Sequence, residues 1–395
     1  MASCTQDILL NMKNMSLELV KTRLEEIETA ELPYKVPTFI FLASLLICGI
    51  PGNIIVCFVY KFNFPSGPSK SFILGLALFD LQVCFIGVPF EIVDLKTDYF
   101  LNIPSLCKIV RFSNTLASAA SVLTLLVIAV YRYKKICLPF KKQITMKEVR
   151  YAFAGVGISA LFISWPALVF YGNQTKLIGG YETTDCSFDN VFMSKFFPQL
   201  YQVFLGVLCF IMIGILVVLY TLIVFQIIRQ KRRGRALGSH SGTLGSRLDL
   251  TEDTKHKPPG GLRKGSKAIS ASTLSIGGEV RSATLERKQA KHVKRSQTTI
   301  MMLLVTVAFI VSYIPHVVLQ MTRRLDSGFE ARVHCNKSAS AAYKLFLRSF
   351  FLNSAINPII YGFYNTRFRR ESKRLLVGLL HIRNDKVQVS TASSD

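Results

Sequence analysis

Acidic residues are scarce in this sequence. Its 395 residues include 24 Asp and Glu against 48 Lys and Arg, so the formal net charge is +24. A strongly basic chain is a candidate nucleic-acid binder, but no zinc-finger, RRM or basic-zipper pattern is present. The basic residues instead cluster between hydrophobic segments, an arrangement typical of loops beside a membrane. We therefore expect membrane topology to explain the charge, and we expect no nucleic-acid partner.

Signatures of common enzymes are missing too. The sequence has no Walker loop, no zinc-binding spacing of Cys and His, and no nucleophile elbow. Its first residues, M-A-S-C-T-Q-D-I-L-L, lack the charged start and apolar core of a cleaved signal peptide. We therefore expect the first membrane span to act as the signal, and we expect neither an enzyme nor a bound organic cofactor.

Hydrophobic residues are abundant. They make up 50% of the chain, and the mean hydropathy is +0.36. They fall in blocks of about 20 residues, the length of a helix that crosses a bilayer. Strand-like alternation is absent from these blocks, which favours helices over a membrane barrel. The pattern predicts an all-α membrane protein, a seven-transmembrane helix bundle with spans at 36–60, 69–95, 105–134, 149–172, 195–228, 297–322 and 340–363.

Loop charge predicts the direction of the spans. Lys and Arg concentrate after the first, third, fifth and seventh spans, whereas Glu25, Glu26, Glu28 and Glu31 precede the first. Positive loops stay in the cytosol, so we expect a multi-pass protein of the plasma membrane with an extracellular N-terminus and a cytoplasmic C-terminus. The sequons at Asn14, Asn173 and Asn336 all fall in segments predicted to be outside, so we expect glycosylation there.

The same pattern divides the chain into regions. Residues 1–35 are an extracellular N-terminus, and 36–363 form the seven-helix domain. Within that domain, 230–290 is a long cytoplasmic loop rich in Gly, Ser, Lys and Arg, for which we expect disorder. This loop is either a solvated linker or, as we favour, a linker that also meets a partner. Residues 364–378 form a short amphipathic eighth helix at the inner surface, and 379–395 a disordered tail.

Polar residues occur deep inside the predicted spans. With the directions above, they fall at similar membrane depth: Asn53, Asp80, Ser121, Asn353, Ser354 and Asn357. Buried ionisable and amide groups are costly and mark functional sites by default. One carboxylate among neutral oxygen donors suits a monovalent metal cation bound at Asp80. A hydrogen-bond network without an ion is the alternative, and the sequence leaves both open.

The motifs at these positions resemble those of rhodopsin-like (class A) G-protein-coupled receptors. They occur in the family's order: G-N-I-I-V (Gly52–Val56), L-A-L-F-D (Leu76–Asp80), Arg132-Tyr133, Pro315 and N-P-I-I-Y (Asn357–Tyr361). The resemblance covers residues 35–377 apart from the long loop. The departures described below suggest a divergent subfamily, and the charges at the outer ends of the spans suggest the peptide type.

This resemblance implies roles for individual residues. It implies a disulfide between Cys107 and Cys186 and a sodium pocket of Asp80, Ser121, Asn353, Ser354 and Asn357. It implies that activation and G-protein coupling involve Arg132, Tyr133, Tyr220, Phe309, Tyr313, Pro315, Asn357, Pro358 and Tyr361. The partners implied are a heterotrimeric G protein, arrestin-type proteins, receptor kinases and membrane lipid, with an allosteric sodium ion as the one bound ion.

Two departures from the family pattern concern activation. The acid that usually precedes the third-helix arginine is Tyr131 here, and the facing sixth-helix region reads Lys294-Arg295-Ser296 without an acid. The usual resting-state partners of Arg132 are therefore missing, and raised basal activity is an expectation. Tyr313 also stands where the family usually has a tryptophan.

The outer ends of the spans suggest the ligand class. Asn114 replaces the aspartate of amine receptors, and Phe351 replaces the lysine of opsins. The expected ligand-binding residues are mixed in charge: Glu91, Asp94, Lys108, Arg111, Asn114, Gln199, Gln202, His316, Gln320, Lys344 and Arg348. A site of mixed charge at the outer ends of the spans favours an extracellular peptide, a neuropeptide or peptide hormone, as the ligand. A small acidic or lipid ligand and a seven-helix ion or proton transporter are the alternatives, as is mutual neutralisation of Glu91, Asp94, Arg111 and Arg348 without a ligand role.

Two further cysteines fall on the predicted outer side. Cys4 and Cys335 either form a second disulfide, which would tie the N-terminus to the third outer loop, or remain unpaired thiols.

Overall fold

A computed structural model describes residues 15–178, 180–192, 195–248, 270–326 and 328–378. Cys4, Asn14, the tail 379–395 and the middle of the long loop, residues 249–269, lie outside the described residues. The predictions for those positions are therefore not addressed by the structure.

The described chain is mostly helical. In chain order the helices are α1 (Leu17–Asn63), α2 (Pro68–Gln82), α3 (Val88–Lys96), α4 (Pro104–Cys137), α5 (Met146–Ser164), α6 (Pro166–Phe170), α7 (Phe196–Leu248), α8 (Ser270–Leu325), α9 (Phe329–His334), α10 (Lys337–Leu347) and α11 (Leu352–Tyr364), with α12 over residues 366–378. A π-helical turn (Val83–Gly87) joins α2 to α3, and 3₁₀ turns occupy Asn190–Phe192 and Ser349–Phe351. The two strands are β1 (Tyr171–Ile178) and β2 (Tyr181–Phe188).

Several helix starts have local causes in the sequence. Pro68, Pro104 and Pro166 stand in the first turns of α2, α4 and α6, where a missing N–H costs nothing. α5 begins with a capping box in which the Thr145 hydroxyl accepts from the Glu148 N–H and the Glu148 carboxylate accepts from the Thr145 N–H. These signals fix where helices enter the bundle.

In the part of the chain that the structure describes, six helical segments are long and apolar enough to cross a membrane: Leu17–Asn63, Pro68–Lys96, Pro104–Cys137, Met146–Phe170, Phe196–Gln230 and Gln297–Leu325. The seventh predicted span, 340–363, is the series α10, 3₁₀ turn and α11. Many large apolar side chains point away from the bundle, among them Ile47, Phe162 and Phe225. Such an apolar outer surface fits lipid contact.

The first helix is longer than hydropathy predicts. It begins at Leu17, within the stretch that the sequence pattern places in an extracellular tail, and runs without a break into the first span. Its extension packs buried Val20 and Leu24 against Ile178 and Tyr181 of the strands. Hydropathy misses this part because charged residues separate its apolar positions.

The two strands form an antiparallel hairpin that covers one end of the bundle. Asn173 lies opposite Cys186 in the register, and Gly180 supplies the positive φ of 87° in the turn. Cys186 forms a disulfide with Cys107 at the start of α4, which confirms the predicted pairing. We call this the hairpin end, and the opposite end, which carries Arg132 and α12, the Arg132 end.

Candidate ligand and signalling sites

The polar residues predicted to meet in mid-bundle are all buried, and some of them are in direct contact near Asp80 of α2. Asn357 of α11 donates from Nδ2 to Oδ2 of Asp80 over 2.8 Å. Asn53 of α1 donates from Nδ2 to the backbone oxygen of Ser354 over 2.7 Å. Ser121, like these residues, is buried. Asn53 and Asp80 therefore join α1, α2 and α11 through side chains from three distant parts of the chain.

Several oxygens in this region have no hydrogen-bond partner in the structure. They are Oδ1 of Asp80, Asn53, Asn353 and Asn357. Unpartnered buried acceptors are costly, and a hard cation takes oxygen ligands of this kind. Within the described residues no three His, Cys, Asp or Glu side chains come together as a metal site. A single carboxylate with amide oxygens fits a monovalent cation better than a divalent or transition metal.

Four charged residues form a compact cluster at the hairpin end. Glu91 of α3, which is 4% exposed, accepts from Nη1 of Arg111 at 2.6 Å and from Nε of Arg348 at 2.9 Å. Oδ2 of Asp94 accepts from Nη2 of Arg111 at 3.2 Å and from Nη2 of Arg348 at 3.5 Å. The cluster thus contains two cations and two anions. The structure shows the mutual neutralisation that the sequence left as an alternative, although Oδ1 of Asp94 and Nε of Arg111 have no hydrogen-bond partner in it.

A second charged cluster lies beside the first. Oδ2 of Asp98 is 2.8 Å from Nζ of Lys35 and 3.0 Å from Nζ of Lys344, which is also 3.1 Å from Oε2 of Glu31. Burial alone would raise the pKa of Asp98, but the ammonium groups of Lys344 and Lys35 outweigh that effect and lower the pKa. Sequence reasoning proposed Lys344 and missed the other members of this cluster, which are Asp98, Lys35 and Glu31. The long α1 explains why, because it brings Glu31 and Lys35 over the bundle.

The break in the seventh span gives Arg348 its position. Arg348 ends α10 with φ −100° and ψ 4°, and a 3₁₀ turn follows. His316 of α8 approaches the carbonyl oxygen of Leu347 at this break, with Nδ1 at 2.5 Å, and Oγ of Ser349 donates to the Ser312 carbonyl over 2.7 Å. Side chains of the sixth and seventh spans therefore stabilise an interruption that aims Arg348 at α3.

The remaining predicted ligand residues have different surroundings. Gln202 contacts Arg324 and donates to the Tyr171 hydroxyl over 3.3 Å, and Lys108 is 3.7 Å from Asp189. Gln199 is exposed, and the described contacts do not bring it to these residues. The buried amide of Asn114 and Oε1 of Gln320 are without hydrogen-bond partners in the structure. Two members of the predicted ligand set thus contain buried polar atoms without a hydrogen-bond partner among the described residues.

Aromatic side chains connect the middle of the sixth and seventh spans. The rings of Phe309 and Tyr313 lie 4.2 Å apart, and Tyr313 lies 5.9 Å from Phe350. Both α8 and α11 contain an internal proline, at Pro315 and Pro358. Prolines and aromatic contacts at these places allow bending of the inner ends of both spans.

At the Arg132 end the predicted signalling residues are buried or half-buried. The Tyr220 hydroxyl donates to the Met302 carbonyl over 3.3 Å and joins α7 to α8. Tyr361 packs against Tyr60 with ring centroids 6.1 Å apart, and its hydroxyl has no hydrogen-bond partner in the structure. Half-buried Tyr133 packs against the main hydrophobic core. These residues connect α1, α4, α7, α8 and α11 near the end that would face a signalling partner.

Comparison with known proteins supports the reading of this architecture as a seven-helix membrane receptor. The sequence matches the family model described as 7 transmembrane receptor (rhodopsin family) over residues 52–361. It is 24% identical over 332 residues to the cholecystokinin receptor of Xenopus laevis, covering 76% of this chain and 68% of that protein. It is 25% identical over 334 residues to neuropeptide FF receptor 1 of Rattus norvegicus, covering 84% and 67%.

The chain belongs to the rhodopsin family of seven-transmembrane receptors, the class A G-protein-coupled receptors. Because this family consists of multi-pass membrane receptors, the chain is neither an enzyme nor the seven-helix transporter that the sequence left open.

Proposed function

We propose that this receptor binds an extracellular peptide and activates heterotrimeric G proteins. The observation that carries the proposal is the hairpin end, where charged side chains from α1, α3, α4 and α10 meet beneath a two-stranded cover. A peptide presents several charged groups and amides at once. A polar site with many charged side chains therefore suits a peptide better than it suits a small lipid. Both relatives named above are receptors whose names refer to peptides, which supports the same class.

The proposed orientation places the hairpin end outside the cell, in the plasma membrane. Basic residues concentrate at the Arg132 end, as expected for the cytosolic side. Asn336, the exposed N-cap of α10, and Asn173 in β1 then lie outside and carry glycans. Arrestin-type proteins and receptor kinases act from the cytosolic side, where the surface helix 366–378 lies against lipid.

Activation in this proposal moves the inner ends of the sixth and seventh spans. Pro358 removes one helical hydrogen bond beside Asn357, so the inner part of α11 shifts at low cost and carries Tyr361 with it. Arg132 then becomes available to the G protein. A sodium ion held by Asp80 and the neighbouring amide oxygens would supply positive charge that favours the resting arrangement.

The decisive experiment uses purified full-length receptor in nanodiscs with purified G-protein heterotrimers. We expect a member of a neuropeptide and peptide-hormone panel to accelerate guanine-nucleotide exchange, and Arg132→Ala to abolish that response while retaining peptide binding. A second panel of fatty acids and small carboxylic acids tests the alternative that the ligand is a small acid or a lipid. Exchange driven only by that second panel would refute the peptide assignment.

A further inference from the structure

Arg132 is a buried cation without a carboxylate partner. It is 4% exposed, and no acidic side chain of the described residues lies within 4.0 Å of it. The sequence explains the absence, because Tyr131 precedes it and residues 287–325 of the facing segment contain no Asp or Glu. A buried charge is stabilised only where polar groups replace its lost water. The groups that contact Arg132 therefore determine how firmly it is held.

The polar contact that Arg132 makes is with Ser69 in the first turn of α2. Nη2 of Arg132 donates to Oγ of Ser69 over 3.3 Å, whereas its Nε has no hydrogen-bond partner in the structure. The guanidinium also lies 5.5 Å from the ring centre of Tyr131. A hydrogen bond at this length from a guanidinium to a neutral hydroxyl is weaker than an ion pair with a carboxylate.

Tyr131 does not supply the missing negative charge. Its hydroxyl accepts from Nζ of Lys135 over 3.0 Å and from the Ser69 hydroxyl, and its ring packs 5.7 Å from that of Phe72. The phenol is thus engaged by Lys135 of its own helix and by Ser69. It contributes a ring face to Arg132 and leaves the hydroxyl of Ser69 as the acceptor.

Ser69 is itself held in place by its neighbour. Nζ of Lys70 donates to the backbone oxygens of Lys61 and Phe64 over 2.7 and 2.9 Å, which fixes the turn between α1 and α2. Pro68 restricts the backbone immediately before Ser69. The backbone that carries the Ser69 hydroxyl is therefore constrained.

We propose that Ser69 is the positioning residue that holds Arg132 in the resting receptor and sets the basal activity. Ser69 acts from the second span. It takes the role of the acidic residues that the family usually has next to the third-helix arginine and on the sixth span. Because its hydroxyl is neutral, the hold is weak and the unliganded receptor activates G proteins measurably. This inference rests on the proposed G-protein coupling.

The test measures nucleotide exchange by purified G proteins with unliganded receptor variants. Ser69→Ala removes the acceptor, and we expect basal exchange to rise about 3- to 10-fold, as the loss of one hydrogen bond of ordinary net strength implies. Ser69→Thr keeps a hydroxyl and should restore the wild-type rate. Ser69→Asp offers a carboxylate and should lower exchange below wild type. Ser71→Ala, two residues further along α2, is the matched control and should change nothing.

A second readout separates this inference from the coupling proposal. Spin labels are attached at Lys61→Cys and Gln297→Cys in a receptor that keeps only Cys107 and Cys186 of its native cysteines. The distance between the two labels reports the separation of α1 and the inner part of α8. We expect Ser69→Ala to increase the fraction of receptors with a long distance between the labels, and Ser69→Asp to decrease that fraction. If distances shift without exchange on any G protein, the coupling proposal fails and the role of Ser69 stands. If Ser69→Ala and Ser69→Asp leave both readouts at wild-type values, the role of Ser69 is wrong.

Discussion

Arg348 and Glu91 are 257 residues apart in the chain, yet Nε of Arg348 lies 2.9 Å from Oε2 of Glu91. The contact depends on the interruption of the seventh span, which turns the end of α10 toward α3. Oε1 of Glu91 simultaneously accepts from Arg111. One carboxylate therefore ties the second, third and seventh spans together directly beneath the hairpin.

Removing Arg348 should destabilise the receptor. Arg348→Ala leaves Glu91 and Asp94 with a single cation, and breaking a buried charge pair typically costs about 3 kcal/mol. We expect a lower unfolding temperature in detergent and a loss of peptide affinity. Arg332→Ala is the control, since Arg332 is 53% exposed in its pair with Asp326 and surface pairs contribute about 1 kcal/mol or less. Equal melting temperatures for Arg348→Ala and wild type would contradict the proposed role of the cluster.

The charges around Asp98 should make stability depend on pH. Its pKa is lowered from an ordinary value of 3.8, since Lys344 and Lys35 outweigh the effect of burial. The folded state thus favours the carboxylate, and the resulting stability is present above that ordinary pKa and lost as pH falls through the folded pKa. We expect Asp98→Asn to be less stable than wild type at pH 7, with the difference shrinking as the pH falls below about 4.

The measurement is thermal unfolding of both proteins in detergent over a pH series. Glu26→Gln is the matched control, because Glu26 lies on the helix that carries Lys35 but is 56% exposed in its pair with Arg23. It should track wild type at every pH. A destabilisation by Asp98→Asn that persists unchanged to pH 3 would show that packing, rather than charge, is responsible.

Hydropathy predicts the seven spans because a lipid-facing helix must be apolar over about 20 residues. It does not predict the extension of α1, where Val20 and Leu24 form only a narrow apolar face among charged residues. It also does not predict the interruption at Arg348, which exists because side chains of the sixth and second spans pair with groups that it exposes. Such features depend on neighbours that are distant in the chain.

The polar site around Asp80 was easier to predict than the charged clusters at the hairpin end. Asp80 and Asn357 are costly inside a membrane, so their meeting follows from depth alone. At the hairpin end many charges are available, and composition does not reveal which of them pair. Asp98 and Lys35 were overlooked because each lies beside the end of a predicted span, where charged residues are common.

The disulfide should be a major source of stability at the hairpin end. Cys107 and Cys186 are 79 residues apart in sequence, and closing a loop of that length contributes about 4 kcal/mol in the chain-entropy description. We expect the double variant Cys107→Ser with Cys186→Ser to unfold at a markedly lower temperature and to lose peptide binding. Cys137→Ser is the control, because Cys137 is a free and half-buried cysteine. Retention of full peptide affinity in the double variant would show that the hairpin keeps its place without the bond.

Sodium should lower the affinity of the receptor for an activating peptide, through Asp80. Its Oδ2 is satisfied by Asn357, but its Oδ1 and the nearby amide oxygens of Asn53, Asn353 and Asn357 have no partner in the structure. A sodium ion would satisfy them and favour the arrangement in which they converge, so peptide binding and sodium binding should oppose each other. Coupling of about 1–2 kcal/mol would weaken peptide affinity about 5- to 30-fold at saturating sodium.

The measurement is peptide affinity in sodium chloride against potassium chloride of equal concentration, which holds screening constant. Asp80→Asn keeps the shape of the side chain while removing its charge. It should abolish the difference between the two salts, because an amide in place of the carboxylate leaves the cation with no anionic ligand. Ser121→Ala removes only one neutral oxygen and should reduce the difference without abolishing it. If Asp80→Asn retains the full sodium effect, the ion acts elsewhere, and the unpartnered oxygens around Asp80 serve a hydrogen-bond network instead.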